Sequence, residues 1–271
     1  MRAFLGRNAF PMTVFAIASA FLGLFFLWPL LKVFGASILD ASGNHFTLAN
    51  YITILSNRFF LNGLTNSLGI AASAAICTAL VGVPFAFCLA RLPIGGKAVL
   101  LALAALPLVL PSFVSAYALV LMFGRSGIVT GMLQSLGIPF ESIYGAKGIV
   151  VVYTLTLYPY IVLPVTAAFK SIDVSVKEAA QNLGASRARM LRTVTLPLVL
   201  PSILAGALLV FIEALENFGV PFVLAEDRPI LSVEAYKLFV GETTDNPASA
   251  SVLGMLLIVC TVIALLVQRG L

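Results

Sequence analysis

Apolar residues dominate the chain in six long runs, roughly 11–36, 62–90, 98–123, 148–169, 197–224 and 248–267, and short intervening segments gather most of the charge. About 20 consecutive apolar residues cross the hydrocarbon core of a bilayer as a helix, and each run is near or above that length. A helix satisfies its own backbone N–H and C=O groups within one segment, which lipid demands. The pattern predicts an all-α polytopic membrane bundle of about six transmembrane helices, with 1–271 as a single transmembrane domain. The first run follows Arg2 and Arg7 as a signal peptide would, yet its apolar stretch is longer than the ~7–15 residues of a signal core. It reads as an uncleaved first span.

Prolines fall inside or at the edges of these runs: Pro107 and Pro111 in the third, Pro159 and Pro164 in the fourth, Pro197 and Pro201 opening the fifth. Membrane helices tolerate them because neighbouring helices or water satisfy the freed carbonyls. The string Leu-Pro-Leu-Val-Leu-Pro-Ser occurs at 106–112 and again at 196–202. It is either the trace of an internal parallel repeat or a chance recurrence in Leu/Pro/Val-rich sequence.

Composition strengthens the membrane reading. Hydrophobic residues make up 61% of the chain and charged residues 10%, against about half and about a quarter in soluble domains. With so few charges, the net +5 is a topology signal and not a nucleic-acid footprint. Placing both termini in the cytoplasm puts Arg2, Arg7, Arg91, Lys97, Lys170, Lys177, Arg187, Arg189, Arg192 and Arg269 inside, opposed only by Asp173 and Glu178. That asymmetry follows the positive-inside rule. Cys77, Cys88 and Cys260 lie in apolar runs without CxxC spacing and read as small buried hydrophobes. His45 is the only histidine, which excludes a multi-histidine metal site and Ser-His-Asp chemistry; no metal site is expected.

The inner segment 171–197 reads as two short helices. Ser175 three residues before Glu178 is a capping-box pattern. Gly184 suits the left-handed position that stops a helix, and Ser186 is placed to cap a second helix carrying Arg187, Arg189 and Arg192. Val176, Ala179, Ala180 and Leu183 recur at helical spacing as a narrow apolar face. That face needs a cover, and helix physics leaves open whether it packs on its own bundle, on lipid or in a partner.

The run Glu178-Ala179-Ala180, three residues, Gly184, nine residues, Val194-x-Leu196-Pro197 closely resembles the EAA motif of binding-protein-dependent ABC transporter permeases. The family pattern ends in I-x-L-P, so Val194 is a conservative departure. The resemblance covers roughly 60–268 and includes the placement of the motif before the penultimate span. It implies that 173–192 forms coupling helices seated in a cleft of a separate ATP-binding subunit. Glu178, Ala179, Ala180, Gly184, Arg187, Leu196 and Pro197 are then the coupling residues. It also implies a periplasmic substrate-binding protein, with 37–61 and 225–247 as the outer segments placed to touch it, and an inner-membrane location. A second permease bundle must complete the pathway: another copy, a paralogue or a fused second half. Ferric-iron-type relatives often fuse two bundles, so the chain is also compatible with the first half of a longer protein. No GxxxxGK[ST] phosphate loop occurs. No cofactor is expected on this chain, ATP and Mg being the partner's.

Glu213, Glu216 and Asn217 stand at i, i+3 and i+4 within the fifth span, which predicts one shared helical face. Acidic residues at span centres cost roughly 2.5–3.5 kcal/mol on insertion scales, so they face a bundle interior or water. They read either as the lining of a pathway for a cationic or amine-bearing substrate, or as carboxylates paired to a neighbouring helix. The Asn-Phe-Gly-x-Pro context at 217–221 is similar to permeases for ferric iron, polyamines and aminoethylphosphonate. Tyr117, Tyr153, Tyr158, Tyr160 and Trp28 read as packing or interface aromatics. The competing class is an ion-coupled secondary transporter using Glu213 and Glu216 as proton carriers, which leaves the 178–197 spacing unexplained.

Overall fold

The computed structural model describes residues 2–40, 45–140, 142–173, 175, 186–241 and 247–270. Among them, five helical stretches are long and apolar enough to cross a membrane: Met12–Ile38, Arg58–Arg91, Ser112–Ser135, Ala188–Glu216 and Ala248–Gly270. The pair Ala146–Leu157 and Pro159–Ser171, bent by 43°, makes a sixth.

Proline governs how these helices depart from regularity. Trp28–Pro29 and Leu196–Pro197 each follow a five-residue π-helical turn, Gly23–Leu27 and Leu191–Thr195. Trp28 N–H reaches Gly23 O and Leu196 N–H reaches Leu191 O, five residues back. A proline cannot donate to the carbonyl four residues before it, and a π turn absorbs the missing bond without ending the helix. In the fourth span Pro159 lies directly after the 43° bend.

The third span departs from the expected continuous helix over 98–123. Lys97–Ala105 runs into a 3₁₀ turn at Leu106–Leu108, Pro111 is extended with φ −56° and ψ 135°, and a new helix starts at Ser112. The fifth span is likewise shorter than expected. Its helix ends at Glu216, Asn217 is extended with ψ 126°, and a separate short helix spans Gly219–Leu224.

The chain divides into two compact units, 1–61 with 234–258, and 62–233 with 259–271. In the second unit, Ala71, Ala74 and Ala86 of the second span are buried, as are Ile149, Val152, Tyr153, Val165 and Phe169 of the fourth and Val199, Val210 and Leu215 of the fifth. Small residues bring these helices together, as expected where lipid supplies no hydrophobic drive between them. A Cβ at Gly82 would stand 3.1 Å from Ile161 Cγ2, and one at Gly206 would stand 2.8 Å from the Tyr160 carbonyl oxygen. The bent fourth span is thus clamped between the second and fifth.

Hydrogen bonds tie the ends of the helices in this unit. Gly145 N–H donates to Leu224 O at 2.7 Å, Ile143 N–H to Phe123 O at 3.1 Å, and Leu231 N–H to Ser67 Oγ at 2.9 Å. Asn66 Nδ2 donates to Pro229 O at 3.1 Å. Arg125 pairs with Glu226 at 2.5 Å and lies over the Tyr144 ring. In the first unit, Asn50 Nδ2 donates to the carbonyls of Ser37 and Leu39, closing the end of the helix Trp28–Ile38.

Within 225–247, the described residues 225–241 form packed, partly helical structure. Ala225, Ile230, Leu231 and Val233 are buried, Leu231–Val240 is helical, and Glu234 is nearly buried beside Lys237 at 2.8 Å. The apolar residues Leu231, Val233 and Tyr236, interleaved with charge, belong to the helix that the charge count concealed, and Ile230 directly precedes it.

Candidate functional site

Three helix discontinuities meet at one place in the second unit. The broken third span supplies Pro107, Leu108, Leu110 and Ser112, the fourth span supplies Thr156, Leu157 and Tyr160 about its bend, and the end of the fifth supplies Glu213 and Asn217. Together they line a cavity of about 220 Å³. The breaks pack directly on each other: a Cβ at Gly219 would stand 2.9 Å from Ser112 Oγ and 3.1 Å from Phe113 Cβ. Interrupted membrane helices expose backbone groups and the partial charges of helix ends inside a protein-lined space.

Within the cavity Tyr160 Oη donates to Glu213 Oε1 at 3.3 Å. Asn217 is the pivot of the fifth-span break. Its Oδ1 accepts from Val220 N–H at 3.0 Å, capping the short helix, and its carbonyl accepts from Ser232 Oγ at 2.9 Å. Asn217 therefore combines a cap with a place in the cavity wall.

The structure brings together two of the three carboxylate-region residues singled out in the sequence. Glu213 and Asn217 share the cavity, whereas Glu216 accepts a hydrogen bond from Thr261 Oγ1 of the sixth span at 3.1 Å. The helical i, i+3, i+4 spacing does not hold through Asn217 because the helix stops at Glu216. Tyr160 moves from packing aromatic to partner of Glu213, and Ser112 and Thr156 join it in the lining. The sequence signal for all three was the set of prolines at 107, 111 and 159, which mark where helices open.

Of the residues that the motif resemblance assigns to coupling, Glu178, Ala179, Ala180 and Gly184 lie outside the described residues, as does the side chain of Arg187. What flanks them is described. Asp173 Oδ1 accepts from Ser175 N–H at 3.0 Å, a local turn at the end of the fourth span. Ser186 Oγ accepts from Arg189 N–H at 3.3 Å, capping the helix Arg187–Met190 as its position predicts. Leu196 and Pro197 open the fifth-span helix immediately after the π turn.

Residues 82–271 match the family described as binding-protein-dependent transport system inner membrane component. The chain is 32% identical over 233 residues to the spermidine/putrescine transport system permease protein PotB of Haemophilus influenzae, covering 83% of this chain and 81% of that one. It is 30% identical over 247 residues to the putative ferric transport system permease protein FbpB 1 of the same organism. There it covers 90% of this chain and spans only 38% of the relative's length. Its fold superposes on a bacterial ABC transporter that imports the acidic polysaccharide alginate, with TM-score 0.79 and 17% identity, covering 100% of this chain and 99% of that one.

Proposed function

The chain belongs to the binding-protein-dependent transport inner membrane components, and from that premise we propose that it passes a small cationic solute, delivered by a periplasmic binding protein, along Glu213. It is an inner-membrane permease subunit of an ABC importer, a family whose ATPase activity lies in a separate subunit. The observation that carries the cation reading is the Glu213 carboxylate, held by Tyr160 in a cavity built where three interrupted spans converge. A carboxylate and hydroxyl oxygens favour a protonated amine or a hard metal cation, and oppose an oxyanion.

In this reading the partner ATPase seats on 171–197, and both termini lie in the cytoplasm. Glu178 and Gly184 shape the coupling element, and Leu196–Pro197 carries its movement into the fifth span. Glu213 and Glu216 are exposed on this chain alone, the arrangement expected if a second permease bundle forms the other wall of the pathway. The polyamine and ferric relatives carry cations, as their names state, and a probable molybdenum permease that is also similar to this chain makes molybdate the contrast. An ion-coupled mechanism is not favoured, since the family couples transport to ATP.

The test is uptake into proteoliposomes holding the chain, its ATPase, its second bundle and its binding protein, with spermidine, ferric iron and molybdate compared. A cation should be taken up and molybdate should not. Glu213→Gln should lower uptake at least about tenfold while assembly persists, the loss expected when a charged hydrogen-bonding group of ~1.5–3 kcal/mol is neutralised. Glu178→Arg should abolish ATP-dependent uptake with insertion intact. Molybdate uptake that survives Glu213→Gln overturns the cation reading.

A further inference from the structure

Lys147 stands between two recesses in the second unit. One, of about 530 Å³, lies toward the second span and is lined by Thr65, Asn66, Gly69 and Ser73. The other, of about 380 Å³, lies toward the third span and is lined by Leu119, Phe123, Phe140, Val151 and Leu155. Lys147 and its own helix, Ala146–Leu157, border both. Lys147 is exposed and has no ion-pair or hydrogen-bond partner among the described residues.

Depth and chemistry fit one kind of ligand. Lys147 is the second residue of the fourth span, at the level where a membrane helix meets headgroups. Leu155 lies eight residues further along, about 12 Å deeper at 1.5 Å per residue. The cleft between them is mainly apolar, with Ser142 its one uncharged polar side chain, and is walled by the Phe123 and Phe140 rings with centroids 6.0 Å apart. Its rim is fixed: Gly148, next to Lys147, packs so closely on the Ile143 carbonyl that no Cβ fits. On the other side of the lysine, Thr65 and Ser73 offer hydroxyls. A cation at the rim, hydroxyls beside it and an apolar slot below it match an amphiphile with an anionic head.

We propose that Lys147 and these recesses bind one anionic phospholipid, with its phosphate at the Lys147 ammonium and an acyl chain along the Leu119–Leu155 cleft. The site is separate from the Glu213 cavity, whose lining shares no residue with it. It requires only that the chain lie in a bilayer, so it stands or falls apart from the importer reading. Ordinary snorkelling of a lysine at the bilayer edge provides the contrast that the test must exclude.

The experiment reconstitutes the full-length chain with its partner subunits in mixed phosphatidylglycerol and phosphatidylcholine, extracts it gently, and counts retained lipid by native mass spectrometry without substrate or ATP. Phosphatidylglycerol should be retained in preference to phosphatidylcholine. Lys147→Ala should cut that retention about fivefold, the worth of one basic residue at an anionic surface, and Lys147→Arg should restore it. Leu155→Trp, which fills the cleft, should lower retention of both lipids. Equal retention by Lys147→Ala and the parent chain overturns the site, as does an equal loss in the control Lys32→Ala at another span end. Undiminished retention in Leu155→Trp, or displacement of the lipid by millimolar inorganic phosphate, overturns the acyl-chain seat in favour of a bare anion contact.

Discussion

Gly206→Ala isolates the contact that sets the geometry of the Glu213 cavity. A Cβ at this position stands 2.8 Å from the Tyr160 carbonyl oxygen, 3.1 Å from Ile161 Cα and 3.2 Å from Ile161 Cγ1. Two of those atoms are backbone and cannot rotate away. Non-bonded heavy atoms settle near 3.5 Å, so the fourth and fifth spans must separate by roughly 0.7 Å at their tightest point. Overpacking of this kind costs about 1–3 kcal/mol. The same separation draws Tyr160 from Glu213, whose hydrogen bond is already long at 3.3 Å. The assay is the thermal unfolding midpoint of the purified chain in one defined micelle, read beside uptake. Gly82→Ala meets mainly side-chain atoms, Ile161 Cγ2 at 3.1 Å and Ile161 Cβ at 3.2 Å, and should cost less. Gly254→Ala meets nothing within 4 Å and should be neutral or slightly stabilising through helix propensity. Tyr160→Phe should reproduce the transport defect with little loss of stability. The reasoning fails if Gly206→Ala unfolds at the same temperature as Gly254→Ala.

Asn217→Ala removes the side-chain cap on Val220 N–H and should cost about 1 kcal/mol, seen as a lowered unfolding midpoint. Asn217→Asp keeps the acceptor and should restore most of it. Glu226 is the one described non-glycine residue with positive φ, at 52°. Its ion pair with Arg125 joins side chains 39% and 75% exposed and contributes at most about 1 kcal/mol. Glu226→Gly relieves the backbone that Glu226→Ala leaves strained, so the glycine variant should be the more stable by about 1 kcal/mol in the same melt.

The membrane class was legible because lipid imposes a length on every span, and runs of that length stand out against a charge content this low. Ser186 was legible as a cap for a similarly local reason, since an N-cap needs only its own hydroxyl and the amide three residues on. What charge hid was the helix Leu231–Val240. Glu234 and Lys237 satisfy each other on its surface, so their presence carries no information about exposure. The Glu213 cavity was half legible. The cost of a carboxylate in a span pointed to Glu213, whereas Tyr160, Ser112 and Thr156 reach it from helices distant in sequence.

The two copies of Leu-Pro-Leu-Val-Leu-Pro-Ser show why the remainder lay beyond local reading. At 196–202 the heptapeptide is continuous helix, entered through a π turn that already accommodates the first proline. At 106–112 the same seven residues are a 3₁₀ turn, an extended Pro111 and a fresh helix start. Local propensity is identical, so tertiary surroundings make the choice. At the first copy Gly219 of the broken fifth span presses on Ser112 and Phe113, and the cavity holding Glu213 opens beside them. The sequence marks both sites as places where a helix is able to break. Only packing against the fifth-span break selects the one that does, and that selection puts the opened backbone next to the Glu213 carboxylate.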